Sequence, residues 1–94
     1  MNSIIDTKKR CYVCGSTLNL HLHHIWFGKN RNNADADGLT CYLCWVHHEG
    51  TYGVHGKGGH KLDEKLKKIA QDKWCKYYDK GPDDFINRYH HWIN

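Results

Sequence analysis

With 94 residues, 14 Lys and Arg against 10 Asp and Glu, nine His and five Cys, the chain is long enough for one domain only. A fold of this size buries roughly 60–65% of its unfolded surface, too little for apolar packing alone to hold it comfortably, so a bound metal would matter. An odd cysteine count excludes a disulfide framework that uses them all, no apolar run approaches the roughly 20 residues of a membrane span, and the net charge of +4 suits a polyanionic partner.

Residues 1–10 (MNSIIDTKKR) lack the apolar stretch of a secretory leader and read as a flexible basic arm. That start and the cysteine spacing predict a protein of the reducing cytoplasm. Cys11 to Gly15 predicts a tight turn, with Gly15 supplying the positive φ. Leu18, Leu20 and Leu22 alternate with Asn19, His21 and His23, the period of a strand with one apolar face. Phe27 to Asp37 reads as a loop. Residues 38–43 predict a second strand with Leu39, Cys41 and Leu43 on one face. Cys44 to Glu49 begins a helix that Gly50 and Gly53 stop early, and Gly53 to Gly59 follows as a flexible segment. Next comes the clearest helix, with Leu62, Leu66, Ile69, Trp74 and Tyr77 on its apolar stripe and Lys65, Lys68, Asp72 and Lys76 outside. Pro82, Asp83 and Asp84 start a last helix, packed down by Phe85, Ile86, Tyr89 and Trp92. The expected fold is α+β: a core over 11–59, with a helical cover over 60–94 of the same domain.

Cys11-x-x-Cys14 and Cys44-x-x-His47 are two metal-ligand pairs. Three thiolates and one imidazole are a common tetrahedral zinc set, and zinc binding of about 10–16 kcal/mol in small modules would dominate stability here. Cys41-x-x-Cys44 is a rival pair that would give four thiolates. The strand reading places Cys41 with Leu39 and Leu43, which favours a core role. Cys75, beside Trp74 in the long helix, reads as a small buried apolar residue. His47 and His48 diverge by about 100° on a helix, so when one faces the zinc the other faces the hairpin, where His23 and His24 stand.

The order Cys-x-x-Cys, His23-His24-Ile25, a strand, then Cys-x-x-His-His with a later His55 resembles the HNH nucleases of the ββα-metal, treble-clef-like fold. It is most similar to the small zinc-bearing phage and prophage members. The resemblance spans roughly residues 11–55. It implies His24 as general base, His23, His48 and His55 as ligands of one catalytic divalent metal (Mg2+, Mn2+, Ni2+ or Zn2+), and DNA as substrate, cut in the bacterial host cell to leave a 5′-phosphate and a 3′-hydroxyl. The place of the family's middle Asn holds Asp37-Gly38, with Asn30, Asn32 and Asn33 earlier. For His23 and His24 to serve one site, the first strand must end or bend there. An all-imidazole site favours zinc, nickel, cobalt or manganese over magnesium, and Asp37 in the ligand set would shift that.

Lys29 and Arg31 are candidate phosphate contacts, as are Lys57 and Lys61 beside the glycines, where backbone N–H groups can approach an anion. Each reads equally as a solvated charge. Trp26 and Phe27 either stack on a base or cap the core. His21, His60, His90 and His91 read as surface residues. One site per monomer predicts nicking, and a homodimer would be needed to cut both strands. The alternatives are a zinc-stabilised DNA-binding module without catalysis, and a protein-interaction domain presenting Trp74, Tyr77, Tyr78 and Trp92.

Overall fold

The computed structural model describes residues 1–94. Strand β1 (Leu20–His24) pairs antiparallel with β2 (Thr40–Cys44) in the register Leu20↔Cys44 through His24↔Thr40. Facing partners share a side of the sheet, so His21 and His23 stand with Leu43 and Cys41. Leu39, Cys41 and Leu43 are fully buried, as their alternation predicts. The apolar face expected on β1 is reversed: Leu18 is 72% and Leu22 48% exposed, whereas His23 is 2% exposed. Asn19 takes a left-handed φ of 52°, which breaks the chain direction and leaves Leu18 outside the strand. The period was legible; the choice of inner face is a tertiary matter.

The segment Phe27 to Asp37 is not a loop. It forms a 3-10 turn (Gly28–Asn30) and helix α1 (Arg31–Asp37), closed by Gly38 at φ 79°. Asn and Asp are weak helix formers, and tertiary anchors hold the helix instead. Ala34 is buried, Asn30 Nδ2 donates to the Tyr89 carbonyl at 3.0 Å, and Asn33 Nδ2 donates to the Arg88 carbonyl at 3.2 Å. The carboxylate of Asp37 accepts from Arg88 Nη2 at 2.8 Å, Tyr89 Oη at 2.8 Å and Trp74 Nε1 at 2.9 Å. Breaking such a buried hub strands three donors at once. Asp37→Ala is expected to lower stability by about 3 kcal/mol without loss of zinc, as read by urea unfolding and metal analysis. Unchanged stability would show that the hub does not hold the fold.

Helix α2 is short (Trp45–His48) and ends before Gly50. Helix α3 (His60–Tyr78) buries Leu66, Ala70, Gln71 and Trp74, and α4 (Pro82–Tyr89) buries Phe85 and Tyr89. Two expected packing residues face water: Tyr77 is 59% and Ile86 39% exposed. On α3 the inner row runs at spacing four from Leu66, which brings Tyr78 inward in place of Tyr77. Its hydroxyl donates to the Asp37 carbonyl at 3.0 Å. One apolar cluster joins β2 to α3 and α4.

The arm expected over residues 1–10 is anchored along residues 3–6. Ile5 is 6% exposed, Ile4 N–H donates to the Gly38 carbonyl at 2.9 Å, and Lys73 Nζ donates to the Ile5 carbonyl at 3.1 Å. No helix is long and apolar enough to cross a membrane.

Candidate metal centres and active site

Two turns build the first cluster. Cys11 N–H donates to the Ser16 carbonyl and Gly15 N–H to the Cys11 carbonyl, both at 2.8 Å, with Gly15 at φ 78°. This knuckle points Cys11 and Cys14 toward the start of α2, where Cys44 caps the helix and His47 follows on the same side. Cys14 Sγ lies 3.8 Å from Cys44 Sγ, and His47 Nδ1 lies 3.6 Å from Cys11 Sγ and 3.2 Å from Cys44 Sγ. Zinc bonds of about 2.3 Å to sulfur and about 2.0–2.1 Å to nitrogen give tetrahedral edges of about 3.8 Å and about 3.6 Å. Two of the three distances match these edges, and the third is shorter. The four residues therefore fit a metal ion as a set. Burial pushes the Cys11 thiol up, but the backbone N–H groups of Cys44, Cys14 and Val13 outweigh it and bring it down to about 6. The rival thiol behaves oppositely: burial, with Cys11 and Asp6 nearby, raises Cys41 to about 12. Cys41 is 1% exposed and stays a protonated core residue.

The second cluster joins His23 of β1, His48 of α2 and His55 of the glycine segment. Their ligand nitrogens all lie within 4.8 Å of one another, and their ring centroids are 4.7–5.3 Å apart. His23 Nε2 is buried without a hydrogen-bond partner, which is costly unless something binds it. A metal ion satisfies that atom, so the residues fit one. Burial first, then His48, His55, His24 and Lys67, lower His23 to about 3. Burial and His55 also lower His48. Both rings are neutral, as metal ligands must be.

The sign of the pH effect follows. Between about pH 6.5 and 3 an unfolded chain protonates His23 while the folded one does not, so stability falls as pH falls across that window. Metal release runs in the same direction. A melting temperature lower at pH 5 than at pH 7.5 is expected in wild type, with a smaller difference in His23→Gln. Equal differences would contradict the buried neutral ring.

His55 reaches the cluster because residues 50–59 are a wound coil and not a flexible linker. Gly50, Gly53, Gly56 and Gly59 recur every third residue. Each later N–H donates to the carbonyl of the glycine three before it, at 2.8–3.1 Å. His55 N–H donates to the His48 carbonyl at 3.0 Å, which clamps the two ligands together. A Cβ on Gly56 would stand 2.0 Å from the Gly50 carbonyl oxygen, and one on Gly59 would stand 1.6 Å from that of Gly53. Gly56→Ala is expected to keep the first metal and weaken Ni2+ binding at the histidines about tenfold or more, measured by titration. Unchanged Ni2+ affinity would show that the coil does not position His55. The N–H groups of Gly50, Gly53, Gly56, Gly58 and Gly59 all donate to backbone carbonyls, so these glycines hold no free N–H for an anion.

His24 lies outside the three-histidine set. Its Nε2 meets Asp35 Oδ1 of α1 at 3.0 Å. Strand β1 ends at His24, and His23, His24, His48 and His55 line one open depression of about 270 Å³ together with Arg31 and Phe27. Lys29 and Lys57 are exposed and do not line it. Asp37, weighed as a metal ligand, is instead the buried hub described above. Sequence reasoning missed Asp35, because it reads as one of several polar residues in a loop. It also left His21 as a surface residue, whereas His21 Nδ1 lies 2.9 Å from His48 Nδ1.

No protein-family model, curated protein or solved structure matches the chain.

Proposed function

We propose that this protein is a metal-dependent endonuclease of the HNH, ββα-metal type that hydrolyses DNA phosphodiester bonds with little sequence preference. One observation carries the reading: three imidazoles converge on a common point within one solvent-open depression that His24 also lines, with the His24 ring held by Asp35. A module that needed a metal only for stability has the Cys11, Cys14, Cys44 and His47 set already. Three protein ligands leave a coordination position open, the pattern of catalytic and not structural sites.

The roles follow from position. His23, His48 and His55 hold a divalent ion, with zinc, nickel, cobalt or manganese suited to imidazole donors. When bound, that ion offsets the charge developing on the scissile phosphate and its leaving 3′ oxygen. His24 accepts the proton of the attacking water, and the Asp35 carboxylate holds the ring in one orientation. Arg31 binds a phosphate oxygen at the rim of the depression, and Lys29 and Lys57 bind flanking phosphates, which fix position without reading sequence. The product carries a 5′-phosphate and a 3′-hydroxyl. One site per chain nicks a duplex, and a homodimer would cut both strands. The reading places the protein in the cytoplasm of a bacterial cell, as a phage or prophage product.

Supercoiled plasmid incubated with Mg2+, Mn2+ or Ni2+ is expected to relax to the nicked form, and to stay supercoiled when the divalent ion is omitted. If folded, zinc-loaded protein binds DNA and never cuts with any ion, the chain is a zinc-stabilised DNA-binding module.

A further inference from the structure

We infer that His21, His48 and Glu49 form an outer cation site that takes a borderline transition-metal ion such as Ni2+ or Zn2+ and shares His48 with the inner triad. His48 Nδ1 lies 2.9 Å from His21 Nδ1 and 3.3 Å from Glu49 Oε1, and ligand atoms of all three residues fall within 4.8 Å of one another. Metal bonds of about 2.0–2.2 Å at angles between octahedral and tetrahedral separate donor atoms by about 2.9–3.5 Å. Both distances are edges of such a shell. Plain hydrogen bonding accounts for them less well, because one imidazole nitrogen carries at most one proton and here faces both a second ring nitrogen and a carboxylate oxygen. Two imidazoles and a carboxylate are donors for zinc and its neighbours, not for calcium or magnesium.

The elements hold this geometry without the inner site. β1 places His21 across from Leu43, and α2 ends at His48 with Glu49 as its cap. The side chain of Glu49 is 45% exposed, so water can complete the shell. His48 spends Nδ1 on this outer set, which leaves Nε2 for His23 and His55. A neutral imidazole has one lone pair for a metal. An ion in the outer site therefore takes His48 from the inner one, and the two sites exclude each other. The binding claim is independent of DNA cleavage; it adds to the proposed activity that an ion preferring the outer donors would take His48 from the inner triad.

The test counts Ni2+ and zinc per chain after dialysis of zinc-loaded protein, so that its failure and that of the nuclease reading are separable. Wild type is expected to bind one Ni2+ at saturation. His55→Ala removes an inner ligand and is expected to bind one still, through the outer set. Adding Glu49→Gln or His21→Ala to His55→Ala is expected to weaken that binding at least tenfold, with retained zinc reporting an intact fold. Loss of all Ni2+ in His55→Ala alone, or no effect of Glu49→Gln in that background, overturns the outer site. Two Ni2+ in wild type overturns the mutual exclusion.

Discussion

Cys44→Ser is expected to leave the domain largely unfolded at room temperature and unable to retain zinc. Small domains are stable by about 5–15 kcal/mol in total, and a structural zinc ion of the kind this cluster fits would contribute about 10–16 kcal/mol of apparent binding energy, so losing it would remove most of what holds the fold. Cys44 also bridges two elements, ending β2 and capping α2, and its sulfur contacts both Cys14 and His47. The matched control is Cys41→Ser. That thiol is buried and protonated, so the exchange introduces a hydroxyl into apolar packing at a cost of about 1–3 kcal/mol and leaves zinc in place. Far-ultraviolet circular dichroism and zinc analysis of the two variants check this. Equal zinc loss in both would revive the four-thiolate set.

The second large effect is catalytic. His24→Ala is expected to lower the cleavage rate by about 10²–10⁴-fold, the usual worth of a positioned general base, while Ni2+ affinity stays within a few-fold of wild type because His24 is outside the ligand set. Asp35→Asn keeps the shape and removes the charge that orients the ring, so a smaller loss is expected, about tenfold or more. His55→Ala should instead lose activity together with metal binding at the inner triad. Matched losses of metal and activity in His24→Ala would make it a ligand and not a base.

Much of this arrangement was legible because spacing carries chemistry. Cys11-x-x-Cys14 and Cys44-x-x-His47 come together as the spacing predicts, since a knuckle turn and a helix start each enforce the pairing locally. The alternation in β1 and β2, the early stop of α2 and the start of α4 were equally local. What escaped was set by tertiary contact. Helix α1 is built from poor helix formers and is held by Tyr89, Arg88 and Trp74 from far along the chain. The inward face of β1 carries His23, and nothing in a leucine–histidine alternation says which side meets the core. The coil over residues 50–59 reads as a flexible tract until its period of three is seen to stack carbonyls against glycines. That stacking is what delivers His55, and the helix α1 that looked like a loop is what delivers Asp35.

In the proposed function a metal-stapled core carries a second, histidine-held ion and cuts DNA with His24 as base. The most direct measurement is plasmid nicking by wild type and His24→Ala side by side, each with added Mn2+ or Ni2+ and with zinc content read on the same samples. Metal-dependent nicking by wild type and almost none by the variant, at equal zinc, is the expected result. Nicking by both proteins at the same rate would contradict the role of His24, and cutting by neither, at full zinc, would contradict the activity itself.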